Sequence, residues 1–167
     1  MFSSAPFVGL RATIWSSLGA LLGISAIALL AEAQLAGADG GLLVGSFGAA
    51  AVLLFAAPHS PLSQPRNLLG GQVLSALVGV AVFQAVPIAW LAPGLAVALA
   101  ICLMQLSSTL HPPGGATALI AVIGSDSIHD LGFVYVFTPI GVGTLILFVI
   151  ALAIGQVSGR PYPAPQD

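Results

Sequence analysis

Only eight of the 167 residues carry a formal charge, three arginines and five carboxylates, and no carboxylate falls inside an apolar run. A soluble domain is about one-quarter charged; with 58% hydrophobic residues this chain cannot cover itself with polar surface. It reads as an integral membrane protein. In lipid every backbone polar group needs an internal partner, so uncharged runs of this length imply helices. The fold class expected is all-α and polytopic, with the lipid bilayer as its first partner. The net charge of −2 and the lack of lysine leave no basic patch for nucleic acid. Cys102 is the lone cysteine and reads as a small buried apolar residue.

The chain has room for about five or six membrane segments of ~20 residues and for no second soluble domain. Residues 1–10 form a short N-terminal segment without the marks of a cleaved leader, and residues 11–155 form one transmembrane domain. Ala12–Ala31 is the first span; its Gly19 and Gly23 have the spacing of close helix contact in lipid. Leu42–Ala57 is the second run and ends in Pro58-His59-Ser60-Pro61-Leu62-Ser63-Gln64-Pro65-Arg66-Asn67, where three prolines forbid continuous helix. Leu68–Val86 is the third span, with Gly71, Ser75 and Gly79 on one face and Asn67 as its expected cap. Trp90, between Pro87 and Pro93, reads as an interfacial anchor.

Leu95–Leu110 is the fourth run. It leads into His111-Pro112-Pro113-Gly114-Gly115-Ala116-Thr117, where one helix must end near Leu110 and another begin near Pro113. Gly114–Gly124 is too short to cross ~30 Å of hydrocarbon, which implies a re-entrant half-helix or the second part of a broken span. Ser127 to Asp130 has the form of a capping box. Phe133–Gly155 is the last span, bent at Pro139, and residues 156–167 are a proline-rich tail expected to be extended. Arg11 and Arg66 fall on one side, which the positive-inside rule makes cytoplasmic. Arg160 joins them only if Gly114–Gly124 counts as part of a crossing.

The two breaks echo each other. His59-Ser60-Pro61 and His111-Pro112-Pro113 each follow an apolar run and precede a helix opening with paired glycines, Gly70-Gly71 and Gly114-Gly115. Repeats with broken helices recur in transporters, where the breaks mark the site. A duplication and a chance likeness both fit so short a match.

The pieces running from Gly45 to Phe55, from Pro58 to Asn67 and from His111 to Leu119 are similar to the HPP family of integral membrane proteins. The resemblance covers roughly Arg11 to Gly155. It implies four or more transmembrane helices and, because some cyanobacterial and chloroplast members are associated with nitrite transport, a small-anion substrate. Some members carry appended CBS domains; the chain to Asp167 includes none, so regulation through one is not expected.

Independently of family, the residues at the breaks are His59, His111, Arg66 and helix N-termini, all of which favour an anion. Backbone carbonyls alone can pass cations, so a cation stays open. The expected substrate-binding residues are His111, Pro112, Pro113, Gly114, Gly115 and Thr117 at one break and His59, Arg66 and Asn67 at the other. Each has a structural alternative. His111 can satisfy the last carbonyls of the fourth helix, and Arg66 can snorkel to the interface. Thr117 and Ser108 can bond the preceding turn.

His129 with Asp126 and Asp130 makes a poor metal site, and Ser60 and Ser63 lack an acid for a triad. No enzyme, cofactor or metal is expected. The function expected is passage of a small monovalent anion, nitrite first, in a homo-oligomer in a bacterial plasma membrane. The rivals are a non-transporting scaffold or sensor, with a dry interior around His111, and a channel for a neutral solute.

Overall fold

The computed structural model describes residues 8–34 and 44–165. Residues 1–7, 35–43, 166 and 167 lie outside it, and with them Asp39, Asp167 and most of the N-terminal segment. Its elements are α1 (Leu10–Gln34), α2 (Gly45–Ala56), a 3-10 turn (Pro61–Ser63), α3 (Pro65–Ala85), α4 (Ala92–Leu106), α5 (Pro113–Ile123), α6 (Asp126–His129), a π-helical turn (Val136–Gly141) and α7 (Val142–Ser158). No strand occurs among the described residues. Three helical stretches, Leu10–Glu32, Pro65–Ala85 and Val136–Ser158, are long and apolar enough to cross a membrane.

Prolines set the starts. Pro65 and Pro113 open α3 and α5, and Pro93 stands in the first turn of α4, where a missing N–H leaves no bond unmade. Gln64, extended at ψ 156° before Pro65, is the residue preceding α3. Asn67 therefore lies inside the first turn and is not its cap. The fourth helix stops at Leu106, four residues short of Leu110, because Ser108 turns out of helix at φ +55°. In the loop after α5 the residue preceding α6 is Ser125, and Ser127 caps nothing. The last span is broken at Thr138, whose φ of −134° and ψ of 118° are not helical, just before Pro139 as expected.

Bare backbone decides what packs on what. A Cβ on Gly71 would stand 2.5 Å from the His111 Cβ, and one on Gly79 would stand 2.7 Å from the Ala118 carbonyl oxygen. Phe83, one turn further, stacks on His129 with ring centroids 3.8 Å apart. So α3 and α5 run parallel, in contact from the His111 break to α6. The segment after His111 thus turns back beside α4 and runs alongside α3 to the end that carries α6. On the other side, Gly19 and Gly23 of α1 lie under the Phe55 ring and the Leu147 side chain, the close contact their spacing implies.

The chain therefore passes through the bundle as α1, α2, α3, α4, α5 with α6, and the bent α7. All three arginines gather at one end. Arg160 Nη1 donates to Ser16 Oγ at 3.0 Å and to the Phe55 carbonyl at 3.3 Å, near the start of α1 and the end of α2. That places it with Arg11 and Arg66. The tail is not a free extended strand either, since the buried Tyr162 donates its phenol to the Ser63 carbonyl at 2.8 Å.

The glycine contacts give a graded test. A Cβ on Gly114 would stand 2.5 Å from Ser75 Oγ, whereas one on Gly115 would approach no atom closer than Val97 at 3.9 Å. Gly71→Ala and Gly114→Ala should each lose about 1–3 kcal/mol through overpacking, while Gly115→Ala should be near neutral. Thermal unfolding of the purified protein in detergent measures all three.

Candidate functional site

The two proline-rich breaks, distant in sequence, form one structure. Both are irregular backbone at the end of the bundle, a state tolerated in lipid only when protein or water satisfies the freed carbonyls. Here side chains do most of it. Ser63 Oγ, with one hydrogen to share, lies 2.7 Å from the Ser60 carbonyl and 2.9 Å from the Ala57 carbonyl, and Gln64 Nε2 donates to the Pro58 and Ser60 carbonyls at 2.9 Å each. Tyr162 takes the Ser63 carbonyl, and burial raises its phenol pKa, so it remains a donor.

The Leu62 carbonyl is taken by His111. The ring is fully buried, and its Nδ1 lies 2.9 Å from that oxygen. A carbonyl only accepts, so Nδ1 must carry the hydrogen. In the neutral ring Nε2 is then a bare acceptor, and it is buried with no partner. The contact is returned from the other side. Asn67 Nδ2 donates to the Leu110 carbonyl at 2.7 Å, and Arg66 Nη2 to the Ser107 carbonyl at 2.9 Å. Ser107 follows the last turn of α4, so Arg66 also sits at the negative end of that helix dipole. Ser107 Oγ bonds back to the Leu103 carbonyl at 2.7 Å, as serines near helix ends commonly do.

The expected residues thus divide. His111, Asn67 and Arg66 are brought together as the clasp between the breaks. His111 does not satisfy the last carbonyls of its own helix; it reaches across to Leu62. Pro113 and Gly114 are buried against α3, with Gly114 under Ser75 and Met104. Pro112 is exposed, Gly115 is half-buried, both His59 and Ser108 are exposed, and Cys102, expected to be buried, lies exposed on the outer face of α4. The two H-x-P breaks do lie at one end, but their histidines have different surroundings. His129 is held by its stack on Phe83 and a 3.2 Å contact of Nε2 with the Val122 carbonyl, away from any clasp residue.

Thr117 leads to residues that sequence reading missed. Its Oγ1 does not bond the preceding turn; it donates to Gln72 Oε1 on α3. The Tyr135 phenol donates to the Thr117 carbonyl at 3.1 Å, and Gln72, Thr117 and Tyr135 are all fully buried. Gln72 Nε2 has no partner, and neither do Ser46 Oγ of α2 and Thr144 Oγ1 of α7. A glutamine inside the apolar third span was a visible signal, since intramembrane polar side chains bond across helices or mark a pathway. These atoms lie at successive levels. His111 is at the break and Gln72 with Thr117 above it. Ser46 and Thr144 are higher still, next to the Gly45–Ile120 and Phe47–Gly143 contacts.

Outside the clasp, an apolar groove of about 430 Å³ opens between α2 and α5, lined by Ala49, Val52, Ala56, Pro112, Pro113 and Ala116 among others.

Asparagine can place its Nδ2 where the imidazole has Nδ1. His111→Asn should therefore keep the Leu62 carbonyl satisfied and unfold within a few degrees of wild type. His111→Ala, which orphans that part-buried carbonyl and empties the buried ring site, should lose about 1–3 kcal/mol. Thermal unfolding monitored by helical circular dichroism distinguishes the two.

The family model described as HPP, transmembrane region, matches residues 5–163. Two transmembrane proteins of Dictyostelium discoideum are each 42% identical to this chain. One aligns over 163 residues, 95% of this chain and 57% of the relative; the other over 154 residues, 89% and 49%. The chain spans about half the length of these curated relatives. No solved structure matches it. With the match covering nearly every residue and a bundle of apolar helices built around the His111-Pro112-Pro113 break, this chain belongs to the HPP family of integral membrane proteins.

Proposed function

We propose that this chain provides a pathway for a small monovalent anion, nitrite first, running past the clasp between the two breaks. The observation that carries the reading is the sorting of polar groups. Among the described residues, carboxylates stand only at element ends: Glu32 in the last turn of α1, and Asp126 and Asp130 in and beside α6. The fully buried polar atoms without partners are two hydroxyls, an amide nitrogen and an imidazole nitrogen. The amide N–H and the two hydroxyls can donate, the imidazole nitrogen donates once its ring is protonated, and no carboxylate stands among them, which favours negative charge over positive.

The clasp adds a condition. Because Leu62 fixes the hydrogen on Nδ1, Nε2 can donate to an anion only when the ring is protonated. The anion and a proton then occupy His111 together, which couples their movement. In the same reading the arginine-bearing end is cytoplasmic, and copies associate as a homo-oligomer through surfaces such as the α2–α5 groove.

One observation favours a second reading. His111 is fully buried and bonded within the protein, as a scaffold or sensor with a dry interior requires.

Flux separates the readings. In liposomes holding the purified protein, nitrite entry above the protein-free background should rise as pH falls. The sign follows from the clasp, since acid populates the doubly protonated ring. His111→Asn, which keeps the Leu62 bond and removes Nε2, should abolish that dependence. A folded wild type that passes no nitrite at any pH would leave the scaffold reading.

A further inference from the structure

We propose that Gln72 is the residue that selects the solute, contacting it through its amide Nε2 at the α3–α5 contact; this rests on the anion-pathway reading above. Gln72 follows Gly71, the glycine pressed against His111, so it stands one step inward from the clasp. The side chain is fully buried, and its two ends are in different states. Oε1 accepts the Thr117 hydroxyl, whereas Nε2, with two hydrogens to donate, has no partner. Thr117 is itself fully buried, and its carbonyl receives the Tyr135 phenol. The amide is thus held from α5, with its donors left over.

A buried donor without an acceptor is costly, and few native side chains are left so. What could satisfy it is limited by the surroundings. The neighbouring hydroxyl of Ser75 points to Met104 Sδ at 3.5 Å, and Thr117 is already engaged. No carboxylate lies on α3, α4 or α5. The bare His111 Nε2 does not reach it either, since both atoms lack a partner, which leaves an acceptor from outside the chain to complete the amide. N–H donors held in one orientation suit the directional lone pairs of a small oxyanion better than the spherical charge of a halide. A cation finds no acceptor at Nε2. Gln72 accordingly ranks nitrite and formate above chloride, with Thr117 and Tyr135 as positioning residues that keep the amide in place.

The test is flux of nitrite, formate and chloride into liposomes carrying wild type, Gln72→Glu or Gln72→Leu, each first shown to be monodisperse. Gln72→Glu keeps shape and the Thr117 acceptor but exchanges the donor nitrogen for an oxygen. It should cut nitrite and formate entry about tenfold or more, the size of a lost hydrogen bond to a charged group. Gln72→Leu should flatten the ranking among the three anions, an effect that a merely structural role would not produce. Thr117→Val, which frees the amide to turn, should weaken the ranking in the same direction as Gln72→Leu.

Should Gln72→Glu fail to fold, the ranking in Gln72→Leu and Thr117→Val carries the test alone. A wild type that passes nitrite, with folded Gln72 variants within about twofold of it and the same ranking, would overturn the assignment. The pathway reading would survive that result. A wild type that passes none of the three anions would overturn the pathway reading and the assignment with it.

Discussion

Irregular backbone in a membrane protein must find its hydrogen-bond partners inside the protein, and this fold is arranged around meeting that demand twice at one place. The chain leaves helix between α2 and α3 and again between α4 and α5. Each break supplies donors for the other's carbonyls. His111 reaches Leu62, and Asn67 and Arg66 reach Leu110 and Ser107. Neither break would be well satisfied alone. The reciprocal clasp fixes the start of α3 against the start of α5. That register in turn brings Gly71, Ser75 and Gly79 under α5 along its length. The C-terminal tail adds a further tie, through Tyr162 to Ser63 and the Ala164 N–H to Gln64 Oε1 at 3.1 Å.

Once the ends are fixed this way, the interior can hold polar groups that the fold does not itself use. Gln72, Ser46 and Thr144 are buried among small and apolar side chains, on three helices whose positions are set by glycine contacts. Hydroxyl and amide groups left unpartnered in low dielectric are expensive and are kept where something else pairs with them. The proposal of a pathway for an anion follows from this arrangement more than from any one residue. Rigid helices hold the donors still, so a solute would meet a set of groups already oriented, and discrimination between anions would come from geometry.

Much of this could be read from the residues. The membrane class followed from the charges, the helix start at Pro113 from proline chemistry, and the kink of the last span from Pro139. The stripe of Gly71, Ser75 and Gly79 announced a close helix contact but not its partner. The roles of His111, Asn67 and Arg66 were not legible, because spacing gives no distance between segments more than 40 residues apart. Asn67 looked like a cap because it follows a proline-rich stretch, yet Pro65 had already opened the helix. Thr117 was expected to bind substrate or to bond its own helix, and Gln72 went unnoticed. In an isolated helix a hydroxyl has only the preceding turn to bond, whereas packing against α3 offers a better acceptor.

The hydrogen bond between the ring of His111 and the carbonyl of Leu62 is the most direct point at which to test the whole arrangement. Nitrogen-15 NMR of His111 in lipid bilayers, with His59 and His129 replaced so that one imidazole remains, reports which ring nitrogen carries the proton. At neutral pH the clasp predicts a neutral ring protonated on Nδ1, with Nε2 bare. A neutral ring protonated on Nε2 would mean that Leu62 is not its partner. The two breaks would then not be joined as described.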